Sequence, residues 1–214
     1  MGDSPWDLDQ KILDFCTSLP NRFKGFFIEA GAVNGVWQSN TLLLEQNLGW
    51  TGLLIEPDVQ LYEQCVQNRD TRNMFYNAAL VDKDYSMSHV MGTFSNVPQN
   101  YELALQGMIV YKNPDFNIKP GAEVRQVPAA TLASILEELE IETRIDLLSL
   151  DVEGSEIQAL DGLDLEIHRP SYILIETTTH ESKRQKIKNY LEQRQYSFLE
   201  QMTPNDAFYE NTKK

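Results

Sequence analysis

The run Phe26-Phe27-Ile28-Glu29-Ala30-Gly31-Ala32-Val33-Asn34-Gly35 decides the fold. Three consecutive apolar residues that stop at an acid and a glycine-containing turn read as a buried strand meeting a tight turn. The same grammar returns downstream. Gly52-Leu53-Leu54-Ile55-Glu56 is a second buried strand, and Pro57-Asp58 opens a helix carrying Leu61, Tyr62, Cys65 and Val66. Between the two, Ser39 to Asn47 has Leu42, Leu43, Leu44 and Leu48 on one side and ends at Gly49, as a helix does.

Further along, Asn73 to Leu80 is a third strand candidate, Ile145 to Leu150 a fourth and Tyr172 to Glu176 a fifth. Helical spacing marks Asp9 to Leu19, Thr131 to Leu139 and His180 to Gln193, and Ser155 with Gln158 predicts a capping box for the helix carrying Ile157 and Leu160. Tyr196 to Met202 and Asp206 to Tyr209 could pair as strands around Pro204-Asn205. Strands alternating with helices imply right-handed crossovers and a mainly parallel sheet covered on both faces. We expect one domain over 1–214, with residues 1–24 as a helical lead-in. Residues 81–127 break the rhythm and read as an insert on the substrate side, with His89, Phe94, Tyr101, Tyr111 and Phe116 in it.

The bulk numbers narrow the partners. With 32 acidic against 18 basic residues the net charge is −14, which repels phosphate backbones and anionic lipids. Basic clusters are short, such as Lys183, Arg184, Lys186 and Lys188 on one helix, read as a solvated face, so nucleic acid is a disfavoured partner. No apolar run approaches the roughly 20 residues of a membrane helix, and Met1 to Gln10 lack the basic start and apolar middle of a signal peptide. A cytoplasmic location is the expectation. Cys16 and Cys65 read as buried free thiols.

In an open parallel sheet, ligands bind beyond the carboxyl ends of the strands. Those ends carry Glu29, Glu56, Asn77, Asp151 with Glu153, and Glu176. Glu29 and Glu56 stand 27 residues apart, and Asp151 and Glu176 stand 25 apart, each near one strand–helix–strand unit of about 30 residues. The first turn lacks the G-x-G-x-x-G dinucleotide fingerprint, and Glu29 would add negative charge where a pyrophosphate needs bare amides. A phosphate-free, positively charged nucleoside such as S-adenosylmethionine suits a carboxylate there, with Glu56 on its ribose hydroxyls. The bland alternatives are a plain surface turn and a helix N-terminal acid.

Phe27 to Gly35, then Ser39-Asn40-Thr41, then Gly52 to Pro57, resemble the opening of FkbM-type methyltransferases. Ile145-Asp146-Leu147-Leu148-Ser149-Leu150-Asp151-Val152-Glu153-Gly154-Ser155-Glu156 resembles that family's second signature. The likeness spans roughly Phe26 to Glu176. It departs at Glu29, where many relatives carry aspartate. The resemblance implies the class I methyltransferase fold, Rossmann-like and doubly wound, with a mostly parallel seven-stranded sheet and an antiparallel last strand. It also implies S-adenosylmethionine-dependent O-methylation of a sugar or secondary-metabolite hydroxyl, small molecule or glycan. The cofactor positions would be Glu29, Gly31, Ala32, Asn34, Gly35, Asn40, Glu56, Pro57, Asn77, Ala78 and Asp151.

A hydroxyl acceptor needs a base or a metal to give up its proton, and Asp151, Glu153 and His180 are the candidates for that work. Asp151 and Glu176 stand where a separate group, the catechol O-methyltransferases, holds magnesium, so Mg2+ or another divalent cation could bind there, with Glu153 or Thr177 assisting. The competing reading has Asp151 orient the methionine end and Glu176 cap the helix near His180. At the level of function, an NAD-binding oxidoreductase, a non-catalytic Rossmann-like binding module and an RNA methyltransferase are the rivals. The sequence leaves the oligomeric state open.

Overall fold

Successive side chains of a strand point to opposite faces, and here both faces are apolar. In β1 (Phe26–Ala30), Phe27 joins one buried cluster, and Phe26, Ile28 and Ala30 join another. β2 (Thr51–Ile55) divides in the same way, with Leu54 on the first face and Leu53 and Ile55 on the second. A strand buried on both sides needs two layers of helix, and six helices supply them. On the Phe27 side, the first cluster draws Leu8, Ile12 and Cys16 from α1 (Leu8–Ser18), Leu44 and Leu48 from α2 (Leu42–Leu48) and Cys65 from α3 (Val59–Asn68). On the Ile28 side lie Leu132, Ile135 and Leu136 of α4 (Leu132–Glu138), Ala159, Leu160 and Leu163 of α5 (Glu156–Leu163), and Ile187 and Leu191 of α6 (Glu181–Glu192). Each fully buried Leu or Ile contributes about 1.5–3 kcal/mol, so these stripes fix which face of each helix turns inward.

These elements come from a computed structural model, which describes residues 5–20, 22–95, 108–109, 122–177 and 181–213. The remaining strands are β3 (Met74–Tyr76), β4 (Ala79–Leu80), β5 (His89–Ser95), β6 (Met108–Ile109), β7 (Ala122–Ala130), β8 (Leu147–Leu150), β9 (Tyr172–Glu176), β10 (Tyr196–Gln201) and β11 (Asp206–Asn211). Seven of them form one sheet in the order β10-β11-β9-β8-β1-β2-β3. Neighbours from β3 to β9 run parallel, and β11 lies antiparallel between β9 and β10. This is the class I methyltransferase topology. The order reverses between β1 and β8, which opens a crevice at their carboxyl ends.

Several expectations are corrected. The third strand divides at Asn77-Ala78: Met74–Tyr76 continues the main sheet, whereas Ala79-Leu80 pairs parallel with Ala129-Ala130 in a second sheet, ordered β4-β7-β5-β6. The stretch 81–127 is therefore partly strand, β5 pairing antiparallel with β7 over seven residues; Tyr101, Tyr111 and Phe116 lie outside the described residues. Helix α2 begins at Leu42 rather than Ser39, because the Ser39 and Thr41 hydroxyls and the Asn40 amide are turned inward onto Glu29. The capping box at Ser155 does not form; its side chain accepts no bond from the first turn of α5. The basic cluster is not wholly solvated either, since Lys183 is largely buried and paired with Glu156 at 3.1 Å.

Candidate active site

The site starts from the turn after β1. Gly31 and Ala32 donate their amides to the carbonyl of Ile55 at 3.0 and 3.1 Å, which folds the turn back onto β2. Gly31 has φ +85°, and a Cβ on it would stand 1.9 Å from the carbonyl oxygen of Asp151, so only glycine fits. This contact brings the ends of β1 and β8 together. Val33 follows with φ 51°, a left-handed conformation that costs a β-branched residue about 1–3 kcal/mol. The strain aims its amide at the Glu56 carboxylate, 2.9 Å away. The Asp58 amide binds the other oxygen of Glu56, also at 2.9 Å. Burial pushes the Glu56 carboxyl up to about 8 despite those two amides.

Beneath the turn, Glu29 is engaged on every side. Its oxygens accept from the Ser39 hydroxyl, the Asn40 amide (2.7 Å), the Thr41 hydroxyl (2.6 Å) and the Arg69 guanidinium (3.2 Å). Arg69 also pairs with Glu45 at 2.9 Å, and its side chain is fully buried. Glu29 borders the pocket, yet its lone pairs are spent on the chain's own donors. That corrects the expectation of a free carboxylate for the ligand's ammonium.

The pocket itself encloses about 1040 Å3, counted to its open mouth. Of the residues singled out from sequence, Glu29, Gly31, Asn40, Glu56, Pro57, Ala78, Asp151 and Glu153 line it. Ala32, Asn34, Gly35 and Asn77 stand behind the wall. The Asn34 side chain accepts from the amides of Val36 and Trp37, and Asn77 donates to the carbonyls of Glu56 and Pro57. These residues shape the loops that hold the lining. His180 lies outside the described residues; His89 is exposed on β5, with Nδ1 3.0 Å from the Ser88 hydroxyl.

Sequence reasoning missed Ser149, Asp58 and Phe94, which also line the pocket. Ser149 sits in an otherwise apolar central strand, a polar residue needing a partner; it accepts from Asn40 at 3.1 Å. Phe94 comes from β5, in the stretch without readable periodicity. The Arg125 guanidinium of β7 stacks on its ring, 4.4 Å from the centroid, and pairs with Asp58, the residue that caps α3. The second sheet thus contributes an aromatic wall tied to the first turn of α3.

At the other end, acids crowd the ends of β8 and β9. Asp151 opens to the pocket, and the protein packed around its carboxyl, with Glu156 and Asp206 nearby, raises that carboxyl, against the pull of Lys183 and the Glu153 amide. Burial and the charges of Asp151, Glu153 and Glu156 raise Glu176 further, and its Oε2 has no hydrogen-bond partner among the described residues. Glu176 does not line the pocket. Among the described residues, no group of three or more His, Cys, Asp and Glu side chains could hold a metal ion.

Comparison with known proteins agrees with the architecture. The chain is similar in fold to the METTL16 methyltransferase domain, with 14% identity over 96% of this chain and 66% of that one and a TM-score of 0.51. A candidate RNA methyltransferase from Pyrococcus horikoshii gives a TM-score of 0.50, with 9% identity over 95% of this chain and 81% of that one. A search of curated proteins finds no match. The family model for the methyltransferase FkbM domain matches residues 29–198, from the Glu29 clamp through the acid cluster to β10. A pocket at the sheet's switch point, ringed by acids and lacking a phosphate loop, is what a methyl donor without phosphates requires, and the chain belongs to the FkbM methyltransferase family, whose members use S-adenosylmethionine.

Proposed function

We propose that the protein transfers the methyl group of S-adenosylmethionine to a hydroxyl oxygen of a small molecule or glycan, with Asp151 as the base. The observation that carries this reading is Asp151 itself: a carboxylate with raised proton affinity, open to the pocket, at the end of β8 across from Glu56. A base whose pKa lies near the working pH serves proton transfer best. In this reading Glu56 accepts hydrogen bonds from the ribose hydroxyls, and Pro57, Leu61 and Ala78 surround the adenine. The methionine end crosses Gly31 and Asn40 toward β8. The sulfonium carbon then faces the acceptor held at Asp151 and Glu153. The acceptor oxygen attacks that carbon, the carbon–sulfur bond breaks, S-adenosylhomocysteine leaves, and Asp151 takes the hydroxyl proton.

No step is routed through a cation. The stretch 81–127 is assigned to the acceptor side, because its strand β5 brings Phe94 to the pocket wall. The net charge of −14 favours an uncharged small acceptor over RNA. The deciding measurement is release of S-adenosylhomocysteine with a panel of neutral glycosides and phenols, alongside structured RNA, followed by mass spectrometry of the product. Oxygen-linked methyl on a glycoside or phenol is expected. A methyl on nitrogen or carbon, or turnover with RNA alone, would overturn the proposal.

A further inference from the structure

Ser155 is 1% exposed, lines the pocket, and its hydroxyl has no hydrogen-bond partner among the described residues. A buried hydroxyl left unmade costs about 1–3 kcal/mol, so a native chain keeps one only where something else satisfies it. The usual use of a serine at this position is to cap the helix behind it. Here it does not: the first turn of α5 draws no bond from Ser155, and the neighbouring Glu156 carboxylate turns back to the Gly154 amide at 2.9 Å. The hydroxyl is thereby left for the pocket.

Its surroundings say what kind of group it can meet. Asp151 and Glu153 share that end of the pocket wall, and Glu156 and Glu176 lie just behind. The cation of this cluster, Lys183, stands 3.1 Å from Glu156. An anionic group brought here would face several carboxylates, whereas a neutral or cationic group would not. Position along the sheet supplies the rest. Glu56 ends β2, Gly31 follows β1 and Ser155 follows β8; strands are about 4.8 Å apart, so Ser155 stands roughly two strand spacings from the ribose-binding acid. That is beyond the donor's nucleoside, on the side where the methyl group departs.

We propose that Ser155 is an acceptor-side binding residue: its hydroxyl hydrogen-bonds the nucleophilic group at the point of methyl transfer, beside Asp151, and the site admits neutral or cationic acceptors rather than those with phosphate or carboxylate near the reacting group. The identity of that nucleophile as a hydroxyl rests on the function proposed above; the placement of Ser155 does not.

The test therefore uses two donor analogues and no acceptor. Sinefungin carries an amine where S-adenosylmethionine carries its transferable methyl, whereas S-adenosylhomocysteine has nothing there. With full-length protein and calorimetry, wild type is expected to bind sinefungin more tightly than S-adenosylhomocysteine. Ser155→Ala should weaken sinefungin about three- to tenfold, one hydrogen bond's worth, and leave S-adenosylhomocysteine within about twofold. Ser155→Cys, nearly the same size with a weak donor, answers the same question if the alanine variant folds poorly. Inorganic phosphate is expected not to compete with sinefungin. Equal losses for both analogues, no loss for either, or phosphate competition that disappears in Ser155→Ala would each overturn the assignment. A nitrogen- or carbon-linked product in the turnover assay would instead refute the hydroxyl reading and leave Ser155 in place.

Discussion

The chain holds two clusters of acids, and they are built on opposite principles. Under β1, Glu29 and Glu45 share the buried Arg69 guanidinium, with Ser39, Thr41, Asn73 and backbone amides completing the set. At the ends of β8 and β9, Asp151, Glu156 and Glu176 face the Lys183 ammonium, and Oε2 of Glu176 has no hydrogen-bond partner among the described residues. The first network is saturated, so it can only hold shape. The second retains proton affinity and unused lone pairs, so it can do chemistry. Negative charge is common to both. Completeness of partnering separates scaffold from site.

The sharpest way to break this contrast is to remove the cation from the saturated cluster. Arg69→Ala leaves Glu29 and Glu45 buried and unpaired, and should cost about 3–5 kcal/mol in urea unfolding; it should also remove the turn that positions Asn40. Asp151→Asn is the mirror experiment. It should lower kcat about a hundredfold, about 2.7 kcal/mol in the barrier, with the unfolding midpoint unchanged or raised because like charge is removed. If Asp151→Asn unfolded the protein and Arg69→Ala did not, the contrast would be inverted.

Smaller effects sharpen it. Glu56→Gln should weaken S-adenosylhomocysteine binding about tenfold, about 1.4 kcal/mol, by isothermal titration. Because burial holds the Glu56 carboxyl at about 8, wild-type affinity should rise with pH through that value, and the glutamine variant should lose the dependence. The smallest effect concerns stability against pH. The raised carboxyls of Asp151 and Glu176, about 7 and about 9, contribute stability that is fully present below the ordinary carboxylate pKa and lost as pH rises through those values. Glu176→Gln should therefore flatten the decline of Tm on the alkaline side, with little change in acid.

Much of this was legible in the chain itself. Apolar runs ending in acids located β1, β2, β8 and β9, because strands buried on both faces carry their own signature whatever packs on them. The pocket acids Glu56 and Asp151 followed from strand ends alone. Glu29 shows the limit: its position could be read, but its role depends on Arg69, forty residues on, at the end of α3. No local pattern announces a partner brought by tertiary folding. Ser155 misled for a related reason, since Ser-x-x-Gln spells a cap, and only the fold shows its hydroxyl making no bond to the first turn of α5. Phe94 was beyond reach because β5 and β7 pair across residues with no shared periodicity.

The glycine after β1 carries a consequence for how such an enzyme can change. With the carbonyl of Asp151 pressed where a side chain would begin, the turn after β1 and the end of β8 are in effect one mechanical part. Neither half can drift without dragging the other. Variation in what the enzyme methylates would then have to accumulate elsewhere, on surfaces not riveted to that turn, and the second sheet is the nearest such surface.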